Sequence, residues 1–406
     1  MGLEAGQDQA GQQTRFHEST ITHRVHLDHL PYVDSSYQQI LTYLDQALEV
    51  TTVLDRASAA NDPGGNDQEK GQVMATETDV GRRADASDRR LLGGQRPLLA
   101  HVLVYVFVIV PFAAMGAAIP WAWGWGMSWM DAIMAAAWYT ITLLGITVGF
   151  HRYFTHGSFK AQRPVRIALA VAGSMAIQGP ITHWVADHRR HHAYADRDGD
   201  PHSPWAFGTS STALLRGIWH AHVGWILNRN LSNQQRFAPD LLADPDMQVI
   251  HRGFGALALF SILAPALIGG LLTWSWPGAL AAFFWASLVR AGFQSHMTWS
   301  VNSICHLIGE RPFAARDRST NFWPLALLSF GDSWHNLHHA DPTCARHGVN
   351  HGQIDISGRV IWLLERLGLA YDVRWPTPAR LARLRRPTAP ADSRPADGRP
   401  DGLWQP

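Results

Sequence analysis

Nine histidines, gathered in four short stretches, set the chemistry open to this chain. His151 and His156 stand in His-Arg-Tyr-Phe-Thr-His, and His188, His191 and His192 in His-Arg-Arg-His-His. His335, His338 and His339 form His-Asn-Leu-His-His, and His306 closes Val-Asn-Ser-Ile-Cys-His. On a helix, positions i, i+3 and i+4 share a face, so each HxxHH triplet is expected to aim three imidazoles at a common point. An i, i+5 pair lies about 140° apart on an ideal helix. His151 and His156 are therefore expected to serve different metals or to sit where a helix ends. Nine imidazoles are too many for one ion and suit two. Neutral imidazole binds Zn, Cu, Fe and Ni, so ligand type alone leaves the metal open. A single HxxHH is weak evidence; two copies with an HxxxxH, each beside an apolar run, point to a metal site. His23, His26 and His29 lie in a polar tail and are set aside. His183, His202, His220, His222 and His296 are read as hydrogen-bonding neighbours, not ligands.

The elements that must hold these residues are membrane helices. The chain has 406 residues, 46% of them hydrophobic, 17% charged and 18 of them Trp. That charged share is well below the usual quarter. A net charge of +1 gives no case for a nucleic-acid partner, which calls for a basic excess. Cys305 and Cys344 are too few for a disulfide framework or a Cys-based zinc module and suit a reducing compartment. Four runs approach the roughly 20 apolar residues that cross a bilayer: about 98–119, 132–150, 254–274 and 278–293. A weaker run, Ile167 to Ile181, is broken by Gly173, Gln178, Gly179 and Pro180 and reads as a helix at the interface or packed on the bundle.

Charges orient the spans. Arg89, Arg90 and Arg96 precede the first, and Arg152, Lys160, Arg163 and Arg166 follow the second. The turns at Pro120 to Met130 and Ser275-Trp276-Pro277 carry Trp but no Lys or Arg. Positive-inside bias places both turns outside. The expectation is an all-α protein of the cell membrane: four transmembrane helices in two hairpins, with a cytosolic helical cap, the metal site and both termini in the cytoplasm. Residues 1–90 read as a mostly disordered polar tail without a secretory signal, with Met74 as a second candidate start. The membrane domain is expected at 91–375, and 376–406 as a disordered Pro- and Arg-rich tail.

The motifs resemble the membrane acyl-CoA (stearoyl-CoA, delta-9) fatty acid desaturases, over about residues 98–373. The likeness comprises HRxxxH, HRxHH and HNxHH in order, Asp200-Pro201-His202-Ser203, His222-Val223-Gly224-Trp225, Asn302-Ser303 before His306, and Gly309-Glu310-Arg311-Pro312-Phe313. The ending Ala345-Arg346-His347-Gly348 looks like the bacterial branch. The resemblance implies two iron ions held by His151, His156, His188, His191, His192, His306, His335, His338 and His339, with Asn302 reaching one iron through water. It implies a bent acyl chain lodged against Gln178, Trp184, Thr298 and Trp299, and a head group near Asp187 and Arg229. The implied reaction is O₂-dependent insertion of a cis double bond, at the ninth carbon, into a long-chain saturated acyl-CoA or another acyl thioester or lipid. An unactivated methylene has no acidic proton, so a reduced metal with O₂ must supply the oxidant.

No GxGxxG after a strand, haem motif or Cys-rich cluster is present. Electrons are therefore expected from a separate donor: a ferredoxin, a cytochrome b5-like protein or an NAD(P)H reductase. Three departures from the animal members bear on the head group: Ala186 replaces an Arg, Asn230 replaces a Lys, and Pro204 to Ser210 is an extra stretch. A phospholipid-bound or carrier-bound acyl chain is therefore admitted beside CoA. Two other readings compete with the desaturase reading. A hydroxylase shares the ligand logic but uses different box spacings. A metal transporter needs ionisable residues inside the spans near the midplane; apart from His101, near the start of the first span, and Arg290, near the end of the fourth, the spans lack them.

Overall fold

The computed structural model of the protein describes residues 91–122 and 126–386. The tail 1–90 with His23, His26 and His29, and residues 387–406, lie outside the described residues, as do the side chains of Trp121, Trp123 and Trp125.

Helices dominate, and three are long and apolar enough to cross a membrane. The first is α1, Leu98–Ala122, whose Leu99, Ile109 and Phe112 are exposed as lipid-facing side chains would be. The second begins as α2, Trp129–Leu144. A capping box starts it: the Asp131 N–H donates to Ser128 Oγ and the Ser128 N–H to the Asp131 carboxylate, both at 3.1 Å. It runs on as a π-helix, Gly145–Thr155. His151 thus lies inside the second rod, whereas the apolar pattern placed it just beyond. After β2, Lys160–Ala161, the weaker run becomes α3, Arg163–Ser174, packed on the π segment. A Cβ on Gly145 would strike the backbone of Ala172 and Gly173, so the two rods touch main chain to main chain. The chain then bends, with Ile177 at φ 63° and Gly179 at φ 106°. It re-enters a helix at α4, Ile181–Tyr194, after Pro180.

Short helices lead to the third long helix, α5, Phe254–Thr273. Trp274 turns the chain at φ 50°, and α6, Trp276–Ala282, packs back on α5 through Gly269, Gly270, Ala279 and Ala282. A π segment, Phe283–Val289, and α7, Arg290–Ser303, continue without a break over the fourth expected span. Arg290 interrupts its apolar character. The side chain is buried, with Nη2 donating to Ser261 Oγ at 3.2 Å and Nε to the Ala286 carbonyl at 3.2 Å.

Two small antiparallel pairs tie the ends together. β1, Leu92–Gln95, pairs with β3, Asn230–Ser232, and β2 with β4, Ala370–Tyr371. Before β4 come α8, His335–Ala340, and α9, Ile356–Arg366. The expected tail from 376 is corrected at its start: α10, Pro378–Leu384, buries Leu381 against Phe313, Leu337 and Val349. Leu381 and Leu384, one turn apart, give this basic segment an apolar edge to pack.

Candidate metal centre

The nine histidines converge on two adjacent groups: His151, His156, His188, His192 and His338, and His191, His306, His335 and His339. In the first, Nε2 of His338 lies 3.0 Å from that of His151 and 2.9 Å from that of His192, which is 3.1 Å from that of His188. In the second, Nε2 of His335 lies 3.2 Å from that of His306 and 2.9 Å from that of His339, which is 3.4 Å from that of His191.

One expectation is corrected here, and another is met by its second alternative. Each HxxHH triplet divides between the groups: His188 and His192 enter the first and His191 the second, while His335 and His339 enter the second and His338 the first. Positions i+3 and i+4 diverge by about 100° around a helix, so they flank residue i and point to different centres. His151 and His156, in contrast, share one group. The segment between them is π-helical, and the His156 N–H donates to the His151 carbonyl at 3.2 Å. An i→i+5 ladder brings these two residues nearly over one another. His156 also ends the helix.

The opposite ring nitrogens show what the Nε2 atoms are for. Nδ1 of His151 meets Asp332 at 2.9 Å, that of His191 meets Asp200 at 3.0 Å, that of His306 meets Asp196 at 2.8 Å and that of His339 meets Asp317 at 2.7 Å. A carboxylate on Nδ1 fixes the N–H there and leaves a lone pair on Nε2. Lone pairs aimed at one another at this range repel unless a cation lies between them. With metal–nitrogen bonds of about 2.1 Å, imidazoles at right angles about one ion lie about 3.0 Å apart. His156 Nε2 is buried without a partner, a further free ligand atom. The residues therefore fit two bound metal ions.

Electrostatics agree. Burial, reinforced by neighbouring imidazoles, pushes His188, His192, His335, His338 and His339 far below the ordinary histidine value, so they are neutral at pH 7, the form that can bind a metal. Burial works to raise the Asp196 carboxyl, but His306 overcomes it and holds the group at about 2.

Behind the first group lies a buried charge network. Arg152 Nη2 is 3.1 Å from both Asp332 and Asp355, and Asp355 also accepts from the His347 N–H at 2.6 Å and the Gly358 N–H at 2.8 Å. The His347 ring packs on His338 with centroids 4.6 Å apart. His202, read as a neighbour, stacks on His191 at 4.3 Å.

The other expected site residues fall as follows. The Gln178 amide donates to Thr298 Oγ1 at 2.8 Å, joining the bend after α3 to α7. Trp184 stacks on His188 with centroids 5.0 Å apart and meets His151 edge-on. Trp299 lies edge-on to His222 and His296, whose facing nitrogens are 2.9 Å apart. Asn302 occupies the last turn of α7, before His306. Asp187 and Arg229 have Arg96 as a common neighbour: Arg96 acts on the half-buried Asp187, and Arg229 Nη2 donates to the Arg96 carbonyl at 3.0 Å. Arg96 in turn donates to the Ile226 and Asn228 carbonyls at 2.6 and 3.1 Å.

The sequence pattern assigns no site role to the four carboxylates and reads Arg152 as a charge that orients the second span. Asp196 and Asp200 do follow the HRRHH stretch by one and two turns, and Asp332 precedes His335 by three residues. That spacing is the signal available for them.

The pattern that defines the fatty acid desaturases matches residues 127–351. A hex-5-enoyl-[acyl-carrier protein] acetylenase of Moorena producens (strain JHB) is 38% identical over 279 residues, 68% of this chain and 86% of that protein. An sn-1 stearoyl-lipid 9-desaturase of Anabaena variabilis is 35% identical over 69% of this chain and 95% of its own length. An icosanoyl-CoA 5-desaturase of Limnanthes douglasii is 35% identical, covering 68% and 73%. The matched stretch holds all nine converging histidines and their four carboxylates, and the chain belongs to the fatty acid desaturase family.

Proposed function

We propose that this chain inserts a cis double bond into a long saturated acyl chain, at the ninth carbon, using two iron ions and O₂. The observation that carries the reading is the pair of histidine groups with Nε2 lone pairs converging and Nδ1 held by Asp332, Asp200, Asp196 and Asp317. Per turnover, one CH₂–CH₂ unit, one O₂, two electrons and two protons give one CH=CH unit and two waters. Bound iron would supply the O₂-dependent oxidation that side chains alone lack.

The nine histidines are the proposed ligands, with Asn302 reaching one ion through water. Trp184, stacked on His188, forms a wall between the imidazoles and the acyl chain. The Gln178–Thr298 bond and Trp299 hold the bend that presents two carbons to the centre. These contacts exclude water from the reacting methylenes and fix which carbons face the oxidant, the protein's share of a cofactor reaction.

The membrane reading extends to four spans, the fourth being the unbroken α6–π–α7 rod, with the site, both termini and the electron donor on the cytoplasmic side. The acyl carrier is CoA, another thioester or a membrane lipid, near Asp187 and Arg229. The three relatives named act on carrier-protein, lipid and CoA substrates.

The test is expression of the parent chain and of His335→Ala in a host lacking unsaturated fatty acids, followed by mass-spectrometric mapping of double bonds. A monoenoic acid in the parent alone is the expected result. Chains that gain one oxygen instead would overturn desaturation in favour of hydroxylation.

A further inference from the structure

We infer that the exposed arginines on residues 316–318 and 383–386 form a docking surface for a small acidic electron-carrier protein, with Trp205, beneath Arg318, as the contact to the second histidine group. This rests on the desaturase reading, which requires two external electrons per double bond. Three observations support it.

The first is that two segments far apart in sequence are joined into one basic face. The Ala314 N–H donates to the Leu384 carbonyl at 2.8 Å and the Arg386 N–H to the Pro312 carbonyl at 2.9 Å. Arg316, Arg318, Arg383, Arg385 and Arg386 are all exposed there. Among the described residues, no carboxylate pairs with any of their side chains, and Arg385 reaches only Asn350, at 3.2 Å. Asp317, in their midst, is committed to His339, and Glu310 is the remaining acid on this stretch. Exposed guanidinium groups on adjoining segments, without a carboxylate partner among the described residues, repel one another and focus potential on an anionic partner.

The second is that this face lies directly over the second group. The Arg318 guanidinium sits 3.9 Å above the Trp205 ring, and the Trp205 indole N–H donates to the His306 carbonyl at 2.9 Å. The Arg318 N–H donates to Asp196 at 2.8 Å, and the same carboxylate holds His306 Nδ1. One aromatic ring and one hydrogen bond thus separate an exposed arginine from the backbone of a converging histidine.

The third is that Trp205 belongs to the extra stretch Pro204 to Ser210. The stretch is anchored at its first residue, since a Cβ on Gly217 would strike the Pro204 carbonyl. Each docking oxidises the carrier by one electron, delivered to the site, so two dockings supply one turnover.

The test uses the full-length protein in nanodiscs and a plant-type [2Fe–2S] ferredoxin as the probe. Kd is measured across ionic strengths on metal-loaded and metal-free protein, and the anaerobic reduction rate on loaded protein with ferredoxin and with dithionite. The variant Arg316→Glu/Arg383→Glu/Arg386→Glu is expected to weaken Kd at least tenfold at low salt, to flatten its salt dependence, and to leave dithionite reduction unchanged. Trp205→Phe keeps the ring but loses the indole N–H. It is expected to slow ferredoxin reduction at saturation severalfold with Kd unchanged.

An unaltered Kd and salt slope in the triple variant, or no ferredoxin binding by the parent, would overturn the docking surface. Equal losses with dithionite and ferredoxin would mean structural damage and overturn it too. An unaltered Kd with activity lost only in anionic nanodiscs would reassign the face to lipid head groups. A parent whose bound metal dithionite cannot reduce would instead overturn the desaturase reading itself.

Discussion

Asp332 offers the sharpest perturbation of the metal centre, because one carboxylate serves two buried partners. It accepts from His151 Nδ1 at 2.9 Å and lies 3.1 Å from Arg152 Nη2, while the Arg152 side chain is 0% exposed. Removing one member of a buried pair costs about 3–5 kcal/mol because a charge is stranded. In Asp332→Ala, Arg152 keeps Asp355 at 3.1 Å, so the lower end, about 3 kcal/mol, applies. The His151 N–H loses its acceptor, which adds about 1 kcal/mol. Freed to rotate or change tautomer, His151 no longer presents a fixed lone pair, a loss worth about 10- to 100-fold in metal affinity. The expected variant folds with a Tm lowered by on the order of 10 °C. It releases the ion of the five-histidine group to a weak chelator first, and the four-histidine group, which shares both helices with it, then holds its ion less tightly than in the parent. The assay is metal per chain by mass spectrometry after graded chelator dialysis, with thermal unfolding in detergent. Asp332→Asn separates the two effects, since its amide carbonyl can accept from His151 or face Arg152 but brings no charge. Parental affinity for both ions in Asp332→Ala, with an unshifted Tm, would refute the argument that this carboxylate sets the histidine's orientation.

Three further outcomes follow from the same structure. Burial, then the neighbouring His251 and Arg96, hold His183 at about 4, and burial, then His296, holds His222 at about 4. Both sit below the unfolded histidine value, so the unfolded chain binds more protons on acidification and stability is lost as pH falls from about 6.5 towards 4. Tm against pH should show that slope, His222→Gln should flatten it, and an identical slope in the variant would count against it. Gly145→Ala should wedge the second rod off α3 at a cost of about 3 kcal/mol, visible as lost thermal stability or yield, and normal stability would contradict the close approach. Thr298→Val removes the hydroxyl that Gln178 donates to. It should cut desaturation on the order of tenfold with both metals retained, whereas full activity would remove the bend from the site.

The parts of the molecule legible in sequence are those whose signal is local. The apolar runs give the extents of α1 and α5 and the place of the second rod, which passes its run at both ends, and the histidine spacings give the residues that converge. The fourth run passes through Arg290 to 293, but the continuation of its rod to Ser303, and the compensation of the buried guanidinium by Ser261 on α5, are tertiary facts. The carboxylates were illegible for a similar reason. Asp196 meets His306 from 110 positions away and Asp332 meets His151 from 181. An aspartate in a polar loop looks alike whether it faces water or a histidine. β1 carries Gly93 and Gly94, which argue against a strand, and it exists because β3 pairs with it.

The divided triplets carry a consequence that convergent triplets would not. Because α4 gives His188 and His192 to one group and His191 to the other, and α8 divides in the opposite sense, each bound ion draws on both helices. Two ions then cross-link α4 and α8 at two points, which fixes their spacing and rotation together. Neither group can be filled without placing a histidine of the other, since His191 and His192 are neighbours on one turn. Metal uptake should therefore be positively coupled: the first ion meets the entropic cost of ordering both helices, and the second finds its ligands already aimed. The Asp332 variant tests this link as well. If the four-histidine group held its ion at parental affinity after the five-histidine group had been emptied, the helices would have to be ordered by packing alone, and the interlocking would be geometry without energetic coupling.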